Sequence, residues 1–77
     1  ENMSVYLIGD LARKTGLSRH TINYYINIGL IQEVGRSENN YRFFDDKVVE
    51  RLNKIIDLRS KNVSIKRIKE ILEKDGG

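Results

Sequence analysis

Between Ser18 and Gly29 the chain reads Ser-Arg-His-Thr-Ile-Asn-Tyr-Tyr-Ile-Asn-Ile-Gly. At helical spacing Ile22, Tyr25 and Ile26 share one face, while Arg19, His20, Asn23, Tyr24 and Asn27 share the other. The second face offers one cation, an imidazole, two amides and a phenol, with no acid to repel a phosphate. Arg can pair with guanine, Asn with adenine, and a Tyr hydroxyl can donate to a phosphate oxygen. A helical hairpin with a polar outer face would show the same residue types, so the flanking elements have to decide between the two.

Other chemistry finds little support. The chain has no cysteine and a single histidine, His20. A thiolate zinc site, a disulfide framework and a Cys nucleophile are thereby excluded. No nucleophile–base set, metal cluster or phosphate-cradling glycine loop stands out. A chain of 77 residues also lacks the size to enclose a substrate pocket. The expectation is a protein that is no enzyme and needs no cofactor and no metal. His20 is read as a surface residue or a DNA contact. Asp45 and Asp46 read as a helix cap rather than a catalytic carboxylate pair. Ser18 and Ser64 are caps first, and phosphate contacts through their helix N-termini second. Tyr25 faces inward and belongs to the core, while Tyr24 faces outward. Of Phe43 and Phe44, one is core and the other packs under the third helix, in preference to an exposed base-stacking role. Arg51 serves an ion pair or a helix surface.

Four helical patterns must position these groups. The first spans roughly Ile8 to Lys14, with Ile8, Leu11 and Ala12 on one face and Gly16 after it as a left-handed stop. The second starts from the cap Ser18, runs to about Ile28 and ends at Gly29. In the turn between them, Thr15-Gly16-Leu17-Ser18, Leu17 fills the angle. Two short helices joined this way form a helix-turn-helix, whose second helix enters the major groove by its first turn. That puts Arg19, His20 and Asn23 nearest the bases. From Leu30 to Phe44 the helical period breaks around Gly35-Arg36-Ser37-Glu38-Asn39-Asn40, a run of turn formers that predicts a β-hairpin. The third helix starts at Asp45 or Asp46, carries the stripe Val48, Val49, Leu52, Ile55 and Ile56, and ends near Asn62. The fourth starts from Ser64 with the stripe Ile65, Ile68, Ile71 and Leu72, and the Gly76-Gly77 tail stops it. The predicted fold is mainly α: a winged helix-turn-helix of four helices and a small two-stranded wing. A single domain, 1–77, divides into a helix-turn-helix (8–28), a wing (30–44) and a helical pair (45–74).

Fourteen Lys and Arg against eleven Asp and Glu leave a net charge of +3, in a chain that is 39% hydrophobic and 32% charged. This is a globular composition, and a small basic domain suggests an anionic partner. The charge is unevenly placed. Arg13, Lys14 and Arg19 precede Glu33 with no intervening acid, and Lys61, Lys66, Arg67 and Lys69 form a second acid-free run. Arg36 and Arg42 flank the hairpin turn as candidate backbone contacts. No apolar run approaches the roughly 20 residues of a membrane span, and the N-terminus lacks the regions of a signal peptide. No membrane partner is expected.

In order and spacing the motifs resemble the N-terminal DNA-binding domain of the MerR family of bacterial transcription regulators. The residues that carry the resemblance are Ile8-Gly9-Asp10-Leu11-Ala12, Thr15-Gly16-Leu17-Ser18, Thr21-Ile22-Asn23-Tyr24-Tyr25 and Gly29-Leu30-Ile31. Glu38-Asn39-Asn40-Tyr41-Arg42-Phe43-Phe44, Arg51-Leu52 and Ser64-Ile65-Lys66-Arg67-Ile68 continue it, without a gap from about Leu7 to Leu72. The resemblance implies recognition-helix contacts from Arg19, His20, Thr21, Asn23 and Tyr24. It assigns Arg36, Tyr41 and Arg42 to a first wing and Lys61, Ser64, Ile65 and Lys66 to a second. The chain departs from the family pattern at Asn23, where Arg is typical, and at Ile26, where an acid is. It departs again at Gln32 and Glu33, where proline is frequent, and at Asn40 in place of the wing glycine. Ile26 either extends the core or forms a small exposed patch.

The resemblance further implies double-stranded DNA as partner, RNA polymerase at a promoter, and a cytoplasmic, nucleoid-associated location. A homodimer is expected only with a dimerisation helix that these 77 residues do not include, so the chain reads as an excised domain or a small regulator acting alone. Sequence-specific duplex DNA binding as a MerR-like regulator is the leading reading. One alternative is an excisionase-like accessory protein that bends DNA. Another is a protein-interaction module docking through Ile26, Val34 and the wing.

Overall fold

The computed structural model describes residues 4–76. Its elements are α1 (Ile8–Thr15), α2 (Arg19–Asn27), β1 (Gly35–Arg36), β2 (Arg42–Phe43), α3 (Asp46–Ser60) and α4 (Ile65–Gly76). This is a winged helix-turn-helix, four helices with one antiparallel two-stranded hairpin.

Each helix is delimited by local chemistry. At the start of α1 the Asp10 carboxylate accepts the Leu7 N–H at 2.9 Å, satisfying a donor the helix cannot. Gly16 ends α1 at φ 79° and donates its N–H to the Ala12 carbonyl, a conformation in which a Cβ is strained. Thr15 Oγ1 donates to the Leu11 carbonyl and accepts from Leu17 N–H, which fixes the turn, and Leu17 packs against the core. Ser18 Oγ accepts the Thr21 N–H at 3.0 Å as the N-cap of α2. The helix stops at Asn27, one residue before the expected end, because Ile28 and Gly29 (φ 78°) already form the turn. Asp45 accepts from Val48 N–H at the head of α3, and Ser64 Oγ from Arg67 N–H at the head of α4. Between them α3 closes with Lys61 as C-cap and Asn62 left-handed at φ 63°. α4 is described through Gly76, and Gly77 lies outside the described residues.

The four helical stripes and the base of the hairpin meet in one core. It comprises Leu11, Ile22, Tyr25, Leu30, Ile31, Phe44, Val48, Leu52, Ile55, Ile68 and Leu72. Ile26 packs on its margin, so it extends the core and is no exposed patch. Of the alternative docking pair, only Val34 (52% exposed) is open.

The wing is shorter than the span 30–44 suggests. Leu30 and Ile31 are fully buried in a bend, and both N–H groups donate to the Tyr25 carbonyl. They therefore complete the C-terminus of α2 rather than begin a strand. Pairing starts where Val34 N–H donates to the Phe43 carbonyl, with Gly35 opposite Phe43 and Arg36 opposite Arg42. Gly35 and Arg36 are thus strand, and the turn is Ser37 to Asn40. Asn40 takes φ 68°, tolerating a conformation that glycine would adopt freely. Gly35 is needed because the Phe43 ring lies across it; a Cβ there would sit 2.7 Å from Phe43 Cζ. Phe43 is accordingly half-buried over its own hairpin, not under α3, while Phe44 is the core aromatic. Tyr6 and Phe44 exchange two backbone hydrogen bonds of 2.8 Å, which ties the N-terminal segment to the wing. The Tyr6 hydroxyl then donates to Asp46 at 2.6 Å, so Asp46 anchors that segment and Asp45 alone caps α3.

Candidate nucleic-acid interface

α2 presents the expected face. Arg19, His20, Tyr24 and Asn27 are exposed, Asn23 and Thr21 are half-buried, and Ile22 and Tyr25 are buried beneath them. Thr21 Oγ1 accepts from Ser18 Oγ, which turns that hydroxyl toward the cap. Tyr24 stands 47% exposed, its ring tilted 48° against that of Tyr25 at 5.8 Å.

Between the starts of α1 and α2 and the wing lies a cleft of about 470 Å³. Arg13, Arg19, Arg36 and Arg42 reach it from α1, α2, β1 and β2 in turn, together with Asn23 and Tyr41. Asp10 is the acid at its edge. Gly9 makes room on the α1 side: a Cβ there would meet the Arg19 guanidinium at 2.7 Å. The cleft therefore joins the recognition-helix residues Arg19 and Asn23 to the first-wing residues Arg36, Tyr41 and Arg42. His20, Thr21 and Tyr24 lie along α2 outside it, as do Lys61, Ser64, Ile65 and Lys66 at the α3–α4 turn.

The acid-free runs in the sequence do not stay free of acids in space. Arg13 pairs with Asp10 one turn earlier in α1, and Lys14 stacks 5.6 Å over the Tyr6 ring. Lys61 pairs with Asp57, and Arg67 with Glu70. Helix neighbours at i±3 and i±4 lie outside the windows in which the runs were counted. Lys69 turns inward, donating to the Ile28 carbonyl at 3.1 Å. Of the seven cations in the two runs, Arg19 on α2 and Lys66 on α4 alone have neither an acid, a carbonyl nor an aromatic ring as partner among the described residues.

Three groups in or beside the interface take roles that the sequence did not assign to them. Glu33 hydrogen-bonds both wing arginines: its Oε2 accepts from Arg36 Nε at 2.7 Å and its Oε1 from Arg42 Nε at 2.8 Å. The register that sets Arg36 opposite Arg42 would have flagged a shared acid. Beside Glu33, the Arg36 hydrogen bonds hold the carboxyl below the ordinary carboxylate range; partial desolvation opposes this, and Arg42 adds to it. Arg51 and Lys69 form the second and third. Arg51 Nε donates to the Leu30 carbonyl at 2.6 Å, so it serves neither an ion pair nor a bare surface. With Lys69 it caps the carbonyls just beyond α2, where a helix C-terminus attracts cations.

Comparison with known proteins places this arrangement. Residues 6–75 match the family described as MerR HTH family regulatory protein. The chain belongs to the MerR family. It is 34% identical over 73 residues to the HTH-type transcriptional regulator CueR of Bacillus subtilis, covering 95% of this chain and 50% of that protein. It is 36% identical over 67 residues to the mercuric resistance operon regulatory protein of Bacillus cereus, covering 87% and 51%. Among solved structures, it matches HiNmlR, a MerR family regulator lacking the sensor domain, bound to promoter DNA. That match has a TM-score of 0.83 at 34% identity and covers 91% of this chain and 53% of that one. The chain thus spans about half the length of the MerR-family relatives it matches. Among the described residues, no helix is long and apolar enough to cross a membrane.

Proposed function

We propose that this MerR-family chain binds duplex DNA sequence-specifically, with α2 in the major groove and the wing along the phosphate backbone. The observation that carries the reading is the arginine cleft between α2 and the hairpin, continuous with an α2 face that bears no acid. Arg19, His20, Thr21, Asn23 and Tyr24 are assigned to the groove. Arg36, Tyr41 and Arg42 are assigned to the first wing, and Lys61, Ser64, Ile65 and Lys66 to a second. The helix-turn-helix (8–28), the wing within 30–44, paired from Val34 onward, and the helical pair (45–74) are the corresponding working parts. The reading involves no catalytic step. It places the protein in the cytoplasm, on the nucleoid, and its work at a promoter shared with RNA polymerase. A homodimer would require a helix beyond these residues. That a sensor-less relative is described as bound to promoter DNA supports the reading.

The test is incubation with a random duplex pool at low salt, followed by sequencing of the retained molecules. An enriched motif supports specific binding, and a two-fold repeat within it means that two copies assemble. Retention without enrichment would favour an architectural role, and no retention would remove the reading. Within an enriched motif, substituting Arg19 should change the preferred sequence, whereas substituting Lys66 should weaken all sequences alike.

A further inference from the structure

We infer that Glu33 is an internal competitor for DNA phosphate, which lowers the wing's grip on any duplex and leaves selection to α2. The inference rests on the proposed DNA-binding reading. Its basis is the way one carboxylate occupies two guanidiniums. Arg36 and Arg42 face each other directly across the hairpin, a like-charge pair that would destabilise it unrelieved. Glu33 bridges them, with Oε2 on Arg36 Nε, and with Oε1 shared between Arg42 Nε and Arg36 Nη2 at 3.4 Å. The remaining Arg36 nitrogen, Nη1, donates to Asn40 Oδ1 at 3.3 Å. All three nitrogens of Arg36 are therefore engaged within the wing before any DNA arrives.

A carboxylate and a phosphodiester each offer a guanidinium a pair of charged oxygens that can accept two N–H bonds. Glu33 thus holds the positions a backbone phosphate would take on the Arg36 and Arg42 edges facing it. The three side chains are only partly covered, at 41%, 36% and 28% exposed, so exchange with a phosphate needs no unfolding. The wing as a whole carries two arginines, Arg36 and Arg42, against two acids, Glu33 and Glu38. It contributes no net positive charge to long-range attraction. Glu38 is exposed and forms no ion pair among the described residues, so it shares the charge of Glu33 without its contacts.

The experiment compares wild type, Glu33→Gln and Glu38→Gln on a random-sequence duplex across a salt series, with a melting curve for each. Both variants change the net charge equally; only Glu33→Gln unmasks the arginines. Freeing one phosphate contact steepens the log K against log salt slope by about 0.9. On a fourfold dilution of salt, Glu33→Gln should then gain about 3.5-fold more affinity than wild type. Its retained pool should be less enriched in sequence. Adding Arg36→Gln should cost more affinity in the Glu33→Gln background than in wild type, where Glu33 competes for the same guanidinium. The inference is overturned if Glu33→Gln binds no better than wild type, binds more weakly, or merely equals Glu38→Gln. If neither wild type nor Glu33→Gln retains DNA, the DNA-binding reading falls and this inference with it. If wild type binds and Glu33→Gln equals it, only this inference falls. If Glu33→Gln fails to melt cooperatively, Glu33→Asp decides instead: its charge is unchanged and its shorter side chain should not bridge both guanidiniums, so it should bind random duplex more tightly than wild type, and equal or weaker binding overturns the inference.

Discussion

Gly9 leaves open the space in which the Arg19 guanidinium lies, and this separates stability from recognition at a single position. Gly9 is the second residue of α1, where alanine is favoured over glycine by less than the about 0.5–1 kcal/mol of a helix interior. The group a new Cβ would strike is the far end of a flexible side chain, so Arg19 should move rather than the helix. Gly9→Ala is expected to raise the melting temperature slightly while shifting DNA preference in the same sense as loss of Arg19; calorimetry beside a binding titration would check both. Glu33 gives a second prediction at this scale. Its carboxyl is held below the usual range mainly by the Arg36 hydrogen bonds, so whatever it adds to stability is complete above the unfolded carboxylate pKa. That contribution is lost as pH falls through the lower folded value. A carbon-detected NMR titration should find Glu33 still ionised below the ordinary carboxylate range, and Arg36→Gln should bring it back toward that range.

At the scale of elements, the recognition helix is gripped at both ends. Ser18 caps the first turn, while Arg51 from α3 and Lys69 from α4 hold the carbonyls of Leu30 and Ile28. Replacing either cation with Met keeps most of the stem packing and removes a charge-assisted hydrogen bond, at a cost of about 1–2 kcal/mol. Chemical denaturation should show it, and DNA affinity should fall with it because the pose of α2 loosens. The helices and their caps were legible in the sequence, since apolar spacing and the residues Asp, Ser and Gly act over one or two turns. The wing was legible only in outline. Leu30 and Ile31 look like strand residues, yet the Tyr25 carbonyl claims both their N–H groups, an outcome set by how α2 meets the core. The outward face of α2 could be read from period alone. The Glu33 bridge, the inward Lys69 and the pairing of Arg13 could not, because each depends on a turn or register fixed only in three dimensions. The α3–α4 basic run shows the same limit: of its four cations, only Lys66 emerges with neither an acid nor a carbonyl partner.

Across the whole molecule, binding strength should follow the number of cations that reach phosphates, not the net charge of +3. With Arg36 masked and Arg13, Lys61 and Arg67 paired, few phosphate contacts are at full strength in the free protein. A salt titration of wild type on random duplex is expected to give a slope of about −2 to −3, at about −0.9 per contact, shallower than the count of basic side chains would suggest. A slope near −6 would mean that the ion pairs seen here dissolve on binding. Because the core is small, single losses inside it matter. Phe44→Ala removes a fully buried aromatic at a cost of about 3–5 kcal/mol, enough to unfold much of a domain this size, as circular dichroism would report. The outward residues of α2 stand apart from all of this. Its supports are Ile22 and Tyr25 beneath, Ser18 before it, and cations borrowed from α3 and α4 behind it. None of them is His20, Asn23, Tyr24 or Asn27. Of these, His20 and Asn27 are exposed and stand clear of the Tyr24–Tyr25 ring contact, so both can be randomised together as a library while the supports of the helix stay in place, and the scaffold becomes a reader whose alphabet can be rewritten.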